Sequence, residues 1–179
     1  GGNELNYYSD VGLVVLYYVD GKTEARSGAT SGSQSNDAAS PRTCTNAEFF
    51  ERLAQDVTRL LTESTPLGIA YRVDLRLRPE GHPGPLARSM ASTLSYYDTM
   101  GRTWERQALI KLRHVAGDAA LARDFLASLE PFIYRKYFSF AEINEVKALK
   151  RQMEHRAGRG GPDVTDVKVG HGGIRDIEY

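Results

Sequence analysis

The chain has 179 residues, and its 23 Lys and Arg residues balance its 23 Asp and Glu residues, so the formal net charge is zero. That balance excludes a protein whose main role is to coat nucleic acid or an anionic membrane, because such proteins carry a large basic excess. With 41% hydrophobic and 26% charged residues, the composition is typical of a soluble globular chain and excludes wholesale disorder. We therefore expect neither nucleic acid nor a membrane as a partner.

Cysteine content and hydropathy indicate the compartment. Cys44 is the single cysteine, which excludes an intramolecular disulfide and a multi-cysteine zinc site, and we expect a free surface thiol. No apolar run reaches the ~18 residues of a membrane span, and the sequence does not begin with a signal-peptide pattern. These features predict a cytoplasmic location. The chain opens on Gly1-Gly2 and stops in an extended apolar pattern, so we expect truncation at both ends.

The first half of the sequence predicts a strand, a long loop and a helix. Residues 11–19 are β-branched and aromatic, which predicts a central strand buried on both faces. Residues 20–44 are rich in Gly, Ser, Ala and Asn without periodicity, so we expect a mobile surface insertion, with a functional lid as the alternative. A capping-box pattern at Thr45 opens a helix with one apolar stripe, and Thr65-Pro66 ends it.

A second strand is predicted over residues 69–78, where apolar and polar residues alternate. With a period of two, the charged side chains share one face of this strand. Residues 79–85 then form a turn-rich loop.

The second half is predicted to be mostly helical. Apolar residues at helical spacing predict helices over 91–116 and 119–134, the second with Asp118 as its N-cap. In the first of these helices we expect the charges around Trp104 to face water and Trp104 itself to pack. A capping box opens a third helix at Ser139. Two strands around a tight glycine turn follow, at 164–169 and 174–179.

The charged face of the second strand is the first candidate for chemistry. Asp74 shares that face with Arg72, Arg76 and Arg78. A carboxylate can hold a cation while guanidinium groups grip phosphate oxygens in forked hydrogen bonds. The alternative is a solvated face on which Asp74 only neutralises the arginines.

The first strand supplies a second carboxylate. Ser9-Asp10 stands directly before the buried strand, so Asp10 lies at the N-terminal end of that strand. Gly1-Gly2 lies upstream, and glycines allow backbone amides to approach a phosphate closely. Together with Asp74, this arrangement indicates a metal-nucleotide site. The four histidines show no ligand spacing, so we do not expect histidine to bind metal.

The segment Gly1-Gly2-x-Glu4-Leu5-Asn6-x-x-Ser9-Asp10-x-x-Leu13 resembles the signature of the DNA polymerase β-like nucleotidyltransferase superfamily. A fuller resemblance is to the bacterial glutamine synthetase adenylyltransferase/adenylyl-removing enzymes. It covers nearly the whole chain except the 20–44 insertion, through Arg72-Val73-Asp74-Leu75-Arg76-Leu77-Arg78-Pro79, Gly84-Pro85-Leu86, Gly101-Arg102-x-Trp104-Glu105-Arg106, Pro131-Phe132-x-x-Arg135-Lys136-Tyr137 and Gly172-Gly173-Ile174-Arg175-Asp176-Ile177-Glu178-Tyr179.

This resemblance implies one half of a two-headed enzyme. In the family, the N-terminal half removes AMP from a tyrosine of glutamine synthetase by phosphorolysis and releases ADP, and the C-terminal half adds AMP from ATP. The Asp-Leu-Arg-Leu-Arg-Pro, Gly-Pro-Leu and Pro-Phe-x-x-Arg-Lys-Tyr segments are more similar to the removing half. The implied partners are glutamine synthetase, a PII-type signal protein and the second nucleotidyltransferase half of the same polypeptide.

The resemblance also implies site residues, with one departure. Asp10 and Asp74 map to catalytic carboxylates that hold Mg²⁺, while Gly1, Gly2, Ser9, Arg76 and Arg78 would bind nucleotide or phosphate. The family pattern is Ser-Asp-x-Asp, but Gly12 stands where the second Asp is expected. Glycine has no side chain to ligate a metal. We therefore expect weak metal binding and impaired catalysis.

The resulting prediction is an α+β nucleotidyltransferase with a small mixed sheet and a C-terminal helical bundle. The sheet domain is expected over 1–88, the bundle over 89–160 and an extended closing segment over 161–179. Adenylyl removal is the expected activity. The alternatives are the adenylyl-adding half and a non-catalytic module that binds nucleotide, glutamine synthetase or a signal protein, and whether phosphate or ATP is the co-substrate separates the two enzymes.

Overall fold

A computed structural model describes residues 9–23, 43–135, 139–157 and 172–173. Short strands and helices alternate in these residues, in agreement with the predicted mixture of α and β structure. The chain divides into two compact units, Gly1–Ile133 and Tyr134–Tyr179, which we describe separately. The predicted division into 1–88, 89–160 and 161–179 stays a prediction.

The elements of the described residues are, in chain order, β1 (Val11–Gly12), β2 (Val15–Tyr17), β3 (Lys22–Thr23), β4 (Cys44–Thr45), α1 (Asn46–Thr62), β5 (Val73–Asp74), β6 (Ala87–Ser89), α2 (Met90–Thr99), α3 (Thr103–Leu109), α4 (Ala119–Ile133) and α5 (Phe140–Ala157). None of these helices combines the length and apolar character needed to cross a membrane.

The strands pair two by two. β1 pairs with β5 and β2 with β6, both in parallel, while β3 pairs with β4 antiparallel. The predicted single strand over 11–19 is therefore wrong: the chain changes partner between β1 and β2. It is also not buried on both faces, since Tyr18 and Val19 are exposed. Pairing stops at Tyr17 because its partner, Ser89, is the N-cap of α2.

The predicted strand over 69–78 is shortened in the same way. Only Val73–Asp74 is paired, since β1 offers two residues, and the chain then enters a series of turns. Ile69 and Tyr71 are more than half exposed. The alternating pattern therefore predicted neither the length of the pairing nor the burial along it, since Arg78 from the charged face is buried.

The predicted 20–44 insertion contains an unexpected pairing at its two ends. β3 and β4 join there, and the Thr23 hydroxyl lies 2.9 Å from the Cys44 thiol. Cys44 is consequently half-buried rather than a simple surface thiol. Residues 24–42 lie outside the described residues, so mobility and a lid function stay predictions for them.

The predicted helix after Thr45 is confirmed as α1. The Thr45 hydroxyl accepts a hydrogen bond from the Glu48 amide at 3.1 Å, and the Glu48 carboxylate accepts one from the Thr45 amide at 2.9 Å, which completes a capping box. Phe50 stacks on Tyr17 with ring centroids 5.1 Å apart. The helix thus packs on β2 and β6, although the outer part of its apolar stripe stays exposed.

A core of apolar residues lies between α2, α3 and α4, formed by Tyr97, Leu109, Phe125, Leu129, Phe132 and Ile133. The predicted helix over 91–116 is wrong as one element, because it breaks between α2 and α3. At Gly101 an added Cβ would lie 2.5 Å from both the Phe132 ring and the Tyr97 carbonyl oxygen, so close packing requires glycine there. The predicted N-cap of α4 is confirmed, since Asp118 accepts the Ala120 amide at 2.7 Å.

The charges of α3 do not face water as expected. Glu105 is 2% exposed and Arg106 4% exposed. The Glu105 carboxylate accepts hydrogen bonds from the Tyr96 hydroxyl at 2.9 Å and from the Arg102 amide at 2.8 Å, and Arg106 lies over the Phe132 ring. The spacing of residues along α3 cannot show this burial, because the residues that cover Glu105 and Arg106 come from α2 and α4.

We expect Glu105→Ala to lower the free energy of unfolding by about 2–3 kcal/mol, because the Tyr96 hydroxyl and the Arg102 amide would lose a charged acceptor. Urea unfolding followed by fluorescence of Trp104, the single tryptophan, measures the change. Glu130→Ala, at an exposed position of α4, is the matched control and should shift stability by less than about 0.5 kcal/mol. Equal effects of the two substitutions would contradict the structural role of Glu105.

The second unit contains α5, and its predicted start is confirmed. The Glu142 amide donates to the Ser139 hydroxyl at 3.2 Å, and the Ser139 amide donates to the Glu142 carboxylate at 2.9 Å. The strands predicted over 164–169 and 174–179 lie outside the described residues.

Candidate active site

The pairing of β1 with β5 brings the two candidate segments together. Val11 is opposite Val73 and Gly12 is opposite Asp74. Flanking hydrogen bonds join the Val11 amide to the Arg72 carbonyl at 2.8 Å and the Leu13 amide to the Asp74 carbonyl at 3.2 Å. Because side chains alternate along a strand, positions 10 and 12 lie on the same face as positions 72 and 74.

The first pair of opposite residues on this face is an ion pair. The Arg72 Nε lies 2.8 Å from an Asp10 carboxylate oxygen, and both side chains are substantially exposed. The sequence places Arg72 on the charged face but does not identify it as the counter-ion of Asp10, because the partner of a strand is decided by register and not by local pattern.

The second carboxylate, Asp74, is gripped by Arg76 in a fork. Arg76 Nε lies 2.9 and 3.1 Å from the two carboxylate oxygens, and Nη2 lies 2.7 Å from one of them. The Arg76 backbone amide also donates to Asp74 at 2.9 Å. These hydrogen bonds, above all those of the Arg76 side chain, hold the pKa of Asp74 below its usual value despite partial burial. Asp74 is therefore ionised at neutral pH.

An open groove of about 560 Å³ runs along these residues, lined by Asp10, Arg72, Val73, Asp74, Leu75, Arg76, Arg78, His82 and Leu86. Three arginines and two carboxylates make its wall positive on balance, which suits an anionic ligand. His82 is a groove residue that the sequence did not point to, because it comes from the turn-rich loop and no spacing ties it to the strands.

Arg78 differs from Arg76 although both belong to the same alternating pattern. It is 8% exposed, and its guanidinium donates to the carbonyl oxygens of Gly84 at 3.0 Å, Leu75 at 2.6 Å and His82 at 2.8 Å. These contacts fasten the loop that follows β5. The predicted phosphate role of Arg78 stays a prediction, and its observed contacts are structural.

The loop fastened by Arg78 has an unusual backbone. Glu80 has a φ of 64°, a conformation that non-glycine residues seldom adopt. Its carboxylate pairs with Arg88 at 2.8 Å, and its backbone hydrogen-bonds to the Tyr96 hydroxyl. The end of the loop requires glycine at position 84, because an added Cβ would overlap the Pro79 carbonyl oxygen. The groove wall is thus anchored to β6 and α2.

The other predicted phosphate-binding residues are only partly described. Ser9 lies half-buried directly before Asp10. Gly1 and Gly2 lie outside the described residues. Their predicted phosphate contacts therefore stay predictions.

The donor set fits one divalent cation. Mg²⁺ is commonly held by one or two carboxylates and completed by substrate phosphate oxygens and water, which Asp10 and Asp74 can satisfy. Within the described ranges, no cluster of three or more His, Cys, Asp or Glu side chains could bind a metal by itself. The position that would bring a third carboxylate, opposite Asp74, is Gly12, so the face does not provide a protein-built two-metal site.

The comparison with protein families identifies the family of the chain. The model of the family described as glutamate-ammonia ligase adenylyltransferase matches residues 1–128, which include both strands, the groove loop and α1 to α3. The chain belongs to this adenylyltransferase family. The resemblance predicted from the motifs is thereby confirmed.

Curated relatives extend the similarity along the whole chain. The bifunctional glutamine synthetase adenylyltransferase/adenylyl-removing enzymes of Hahella chejuensis and Thioalkalivibrio sulfidiphilus are each 42% identical to it over its full length, and that of Nitrosococcus oceani is 40% identical. The chain spans about 17% of the length of these relatives. Homologues in this family are adenylyltransferases, and their names specify glutamine synthetase.

Proposed function

We propose that this chain is the catalytic face of an adenylyl-removing unit that acts on AMP-tyrosine of glutamine synthetase. The observation that carries the proposal is the single face on which Asp10, Arg72, Asp74 and Arg76 meet in an open groove. Family membership supports the nucleotidyl chemistry, and the three motifs most similar to the removing half support its direction. We further propose a DNA polymerase β-like fold with a C-terminal helical bundle.

The proposed reaction is an in-line displacement at the α-phosphorus of AMP-tyrosine. An oxygen of inorganic phosphate forms the new P–O bond, the P–O bond to tyrosine breaks, and the tyrosine oxygen leaves with a proton from solvent. The products are ADP and unmodified glutamine synthetase. ADP contains both phosphorus atoms, one from AMP-tyrosine and one from inorganic phosphate. No electron transfer is required.

Each groove residue has a proposed role in this reaction. Asp10 and Asp74 would hold Mg²⁺, which when bound neutralises phosphate charge and aligns the reacting groups. Arg72 and Arg76 would bind phosphate oxygens through guanidinium forks, and Ser9, Gly1 and Gly2 would add contacts from the start of β1. Arg78 would act through the loop that it holds. ADP would be the product of this reaction, and ATP would be the co-substrate of the adding half. The proposed partners, besides glutamine synthetase, are a PII-type signal protein and the second half of the same polypeptide. The proposed location is the cytoplasm.

Gly12 favours a second candidate function, a non-catalytic module that binds nucleotide or glutamine synthetase. Without a carboxylate at position 12 the face holds two metal-ligand candidates instead of three. Losing one ligand of a two-metal site removes transition-state stabilisation more severely than it removes binding.

The co-substrate separates these functions. We expect the protein to release ADP from adenylylated glutamine synthetase when inorganic phosphate and Mg²⁺ are supplied, and to lose this activity in EDTA. Incorporation of AMP from ATP into unmodified glutamine synthetase, without phosphorolysis, would instead assign the adding half. Binding of glutamine synthetase with neither reaction would support the non-catalytic module.

A further inference from the structure

Both candidate metal ligands of the groove are already paired with an arginine. Asp10 pairs with Arg72 at 2.8 Å, and Asp74 pairs with Arg76 at 2.7 Å. A cation that binds these carboxylates must share them with, or take them from, the two guanidinium groups. The arginines are thus internal competitors of the metal.

The exposed arginines of these ion pairs can leave their carboxylates for another anion. The side chains of Arg72 and Arg76 are 71% and 74% exposed, and those of Asp10 and Asp74 are 47% and 23% exposed. An exposed pair such as Arg72–Asp10 contributes only about 0–1 kcal/mol. The Arg76–Asp74 pair is forked and its carboxylate is partly buried, so Arg76 exchanges only for a ligand that offers a comparable fork. Both arginines line the same groove as the carboxylates, so neither has to travel far to meet a ligand there. By contrast, Arg78 is buried and held by three carbonyl oxygens, and it is not available for exchange.

Phosphate presents to a guanidinium the same forked oxygen geometry as a carboxylate, with more negative charge. A phosphate in the groove therefore draws an arginine away from its aspartate and leaves the carboxylate oxygens for a cation. We propose that Arg72 and Arg76 couple phosphate and divalent-cation binding in this groove by exchanging their carboxylate partners for phosphate. The coupling deepens the proposed function, on which it rests for the use of the groove as a phosphate site.

Gly12 makes this coupling stronger in the present chain. The groove wall carries three arginines and two carboxylates, so a cation alone meets a positive surface. With an aspartate at position 12, opposite Asp74, a cation would find a carboxylate not yet paired across the sheet. In this chain we expect each ligand alone to bind weakly and the two together to bind well.

Calorimetric titration with MgCl₂, at constant ionic strength and with free Mg²⁺ corrected for complexation by phosphate, tests the coupling. We expect saturating inorganic phosphate to tighten the Mg²⁺ dissociation constant about tenfold, within the usual range for coupled sites. In the double variant Arg72→Gln/Arg76→Gln, Mg²⁺ should bind tighter than in the parent without phosphate, and phosphate should change its affinity less than about twofold. Arg59→Gln removes an exposed pair with Asp56 on α1, outside the groove lining, and should leave the coupling intact.

Two outcomes would overturn the exchange. The first is Mg²⁺ affinity in the parent protein that does not depend on phosphate. The second is tenfold coupling that persists in Arg72→Gln/Arg76→Gln with its far-UV spectrum unchanged, since the coupling would then come from direct contact of cation and phosphate. The titration contains no glutamine synthetase, so coupling without phosphorolysis counts against the proposed function alone, and phosphorolysis without coupling counts against the exchange alone.

Discussion

Gly12→Asp is expected to raise the rate of phosphorolysis of adenylylated glutamine synthetase about 100-fold, which corresponds to about 2.7 kcal/mol of transition-state stabilisation. The new carboxylate would lie opposite Asp74 and on the same face as Asp10, where it completes a set of three metal ligands. The rate of ADP release at saturating phosphate and Mg²⁺ measures the effect. A parent protein that already turns over as fast as the variant would contradict our interpretation of the site.

The backbone can accept this substitution. Gly12 does not have a positive φ, and the nearest obstacle to a Cβ is the Leu77 Cδ1 at 2.9 Å, the end of a partly exposed side chain that can rotate away. Gly12→Asn makes the same steric demand without the charge and is the matched control. We expect Gly12→Asn to leave phosphorolysis near the parent rate.

The same variant should also show a metal-dependent stability. In EDTA, the new carboxylate opposite Asp74 adds a like-charge pair across the strands, which we expect to lower the free energy of unfolding by up to about 1 kcal/mol relative to Gly12→Asn. Mg²⁺ should remove that difference, because it binds the folded face. We therefore expect glycine at this position to lower metal affinity and to keep the sheet stable without metal.

Arg78→Lys is expected to lower the free energy of unfolding by about 3 kcal/mol, because an ammonium group cannot reach the carbonyl oxygens of Gly84, Leu75 and His82 together. Arg76→Lys, at an exposed position, should change stability by less than about 1 kcal/mol. Urea unfolding monitored through Trp104 compares the two variants. If Arg78→Lys keeps full stability and loses phosphate affinity, Arg78 binds phosphate and does not hold the loop that follows β5.

The helix starts of this protein could be predicted because capping is local. Thr45 with Glu48, Ser139 with Glu142, and Asp118 before α4 each satisfy backbone amides within three residues, so the pattern carries its own partners. The strand lengths could not be predicted this way. Each strand extends only as far as its neighbour, and the change of partner between β1 and β2 depends on residues more than 60 positions away.

The candidate site likewise has features that the sequence predicted and features that only the tertiary structure decided. From the sequence came the shared face of Asp10 and Gly12, which follows from a period of two. The nucleotidyltransferase motifs and the departure at position 12 came from the family resemblance of the same sequence. The tertiary structure decided which arginine meets which carboxylate. Register places Arg72 beside Asp10, while the end of β5 at Asp74 leaves Arg76 in the groove and turns Arg78 into the loop, because pairing is set by distant strands and not by the local pattern.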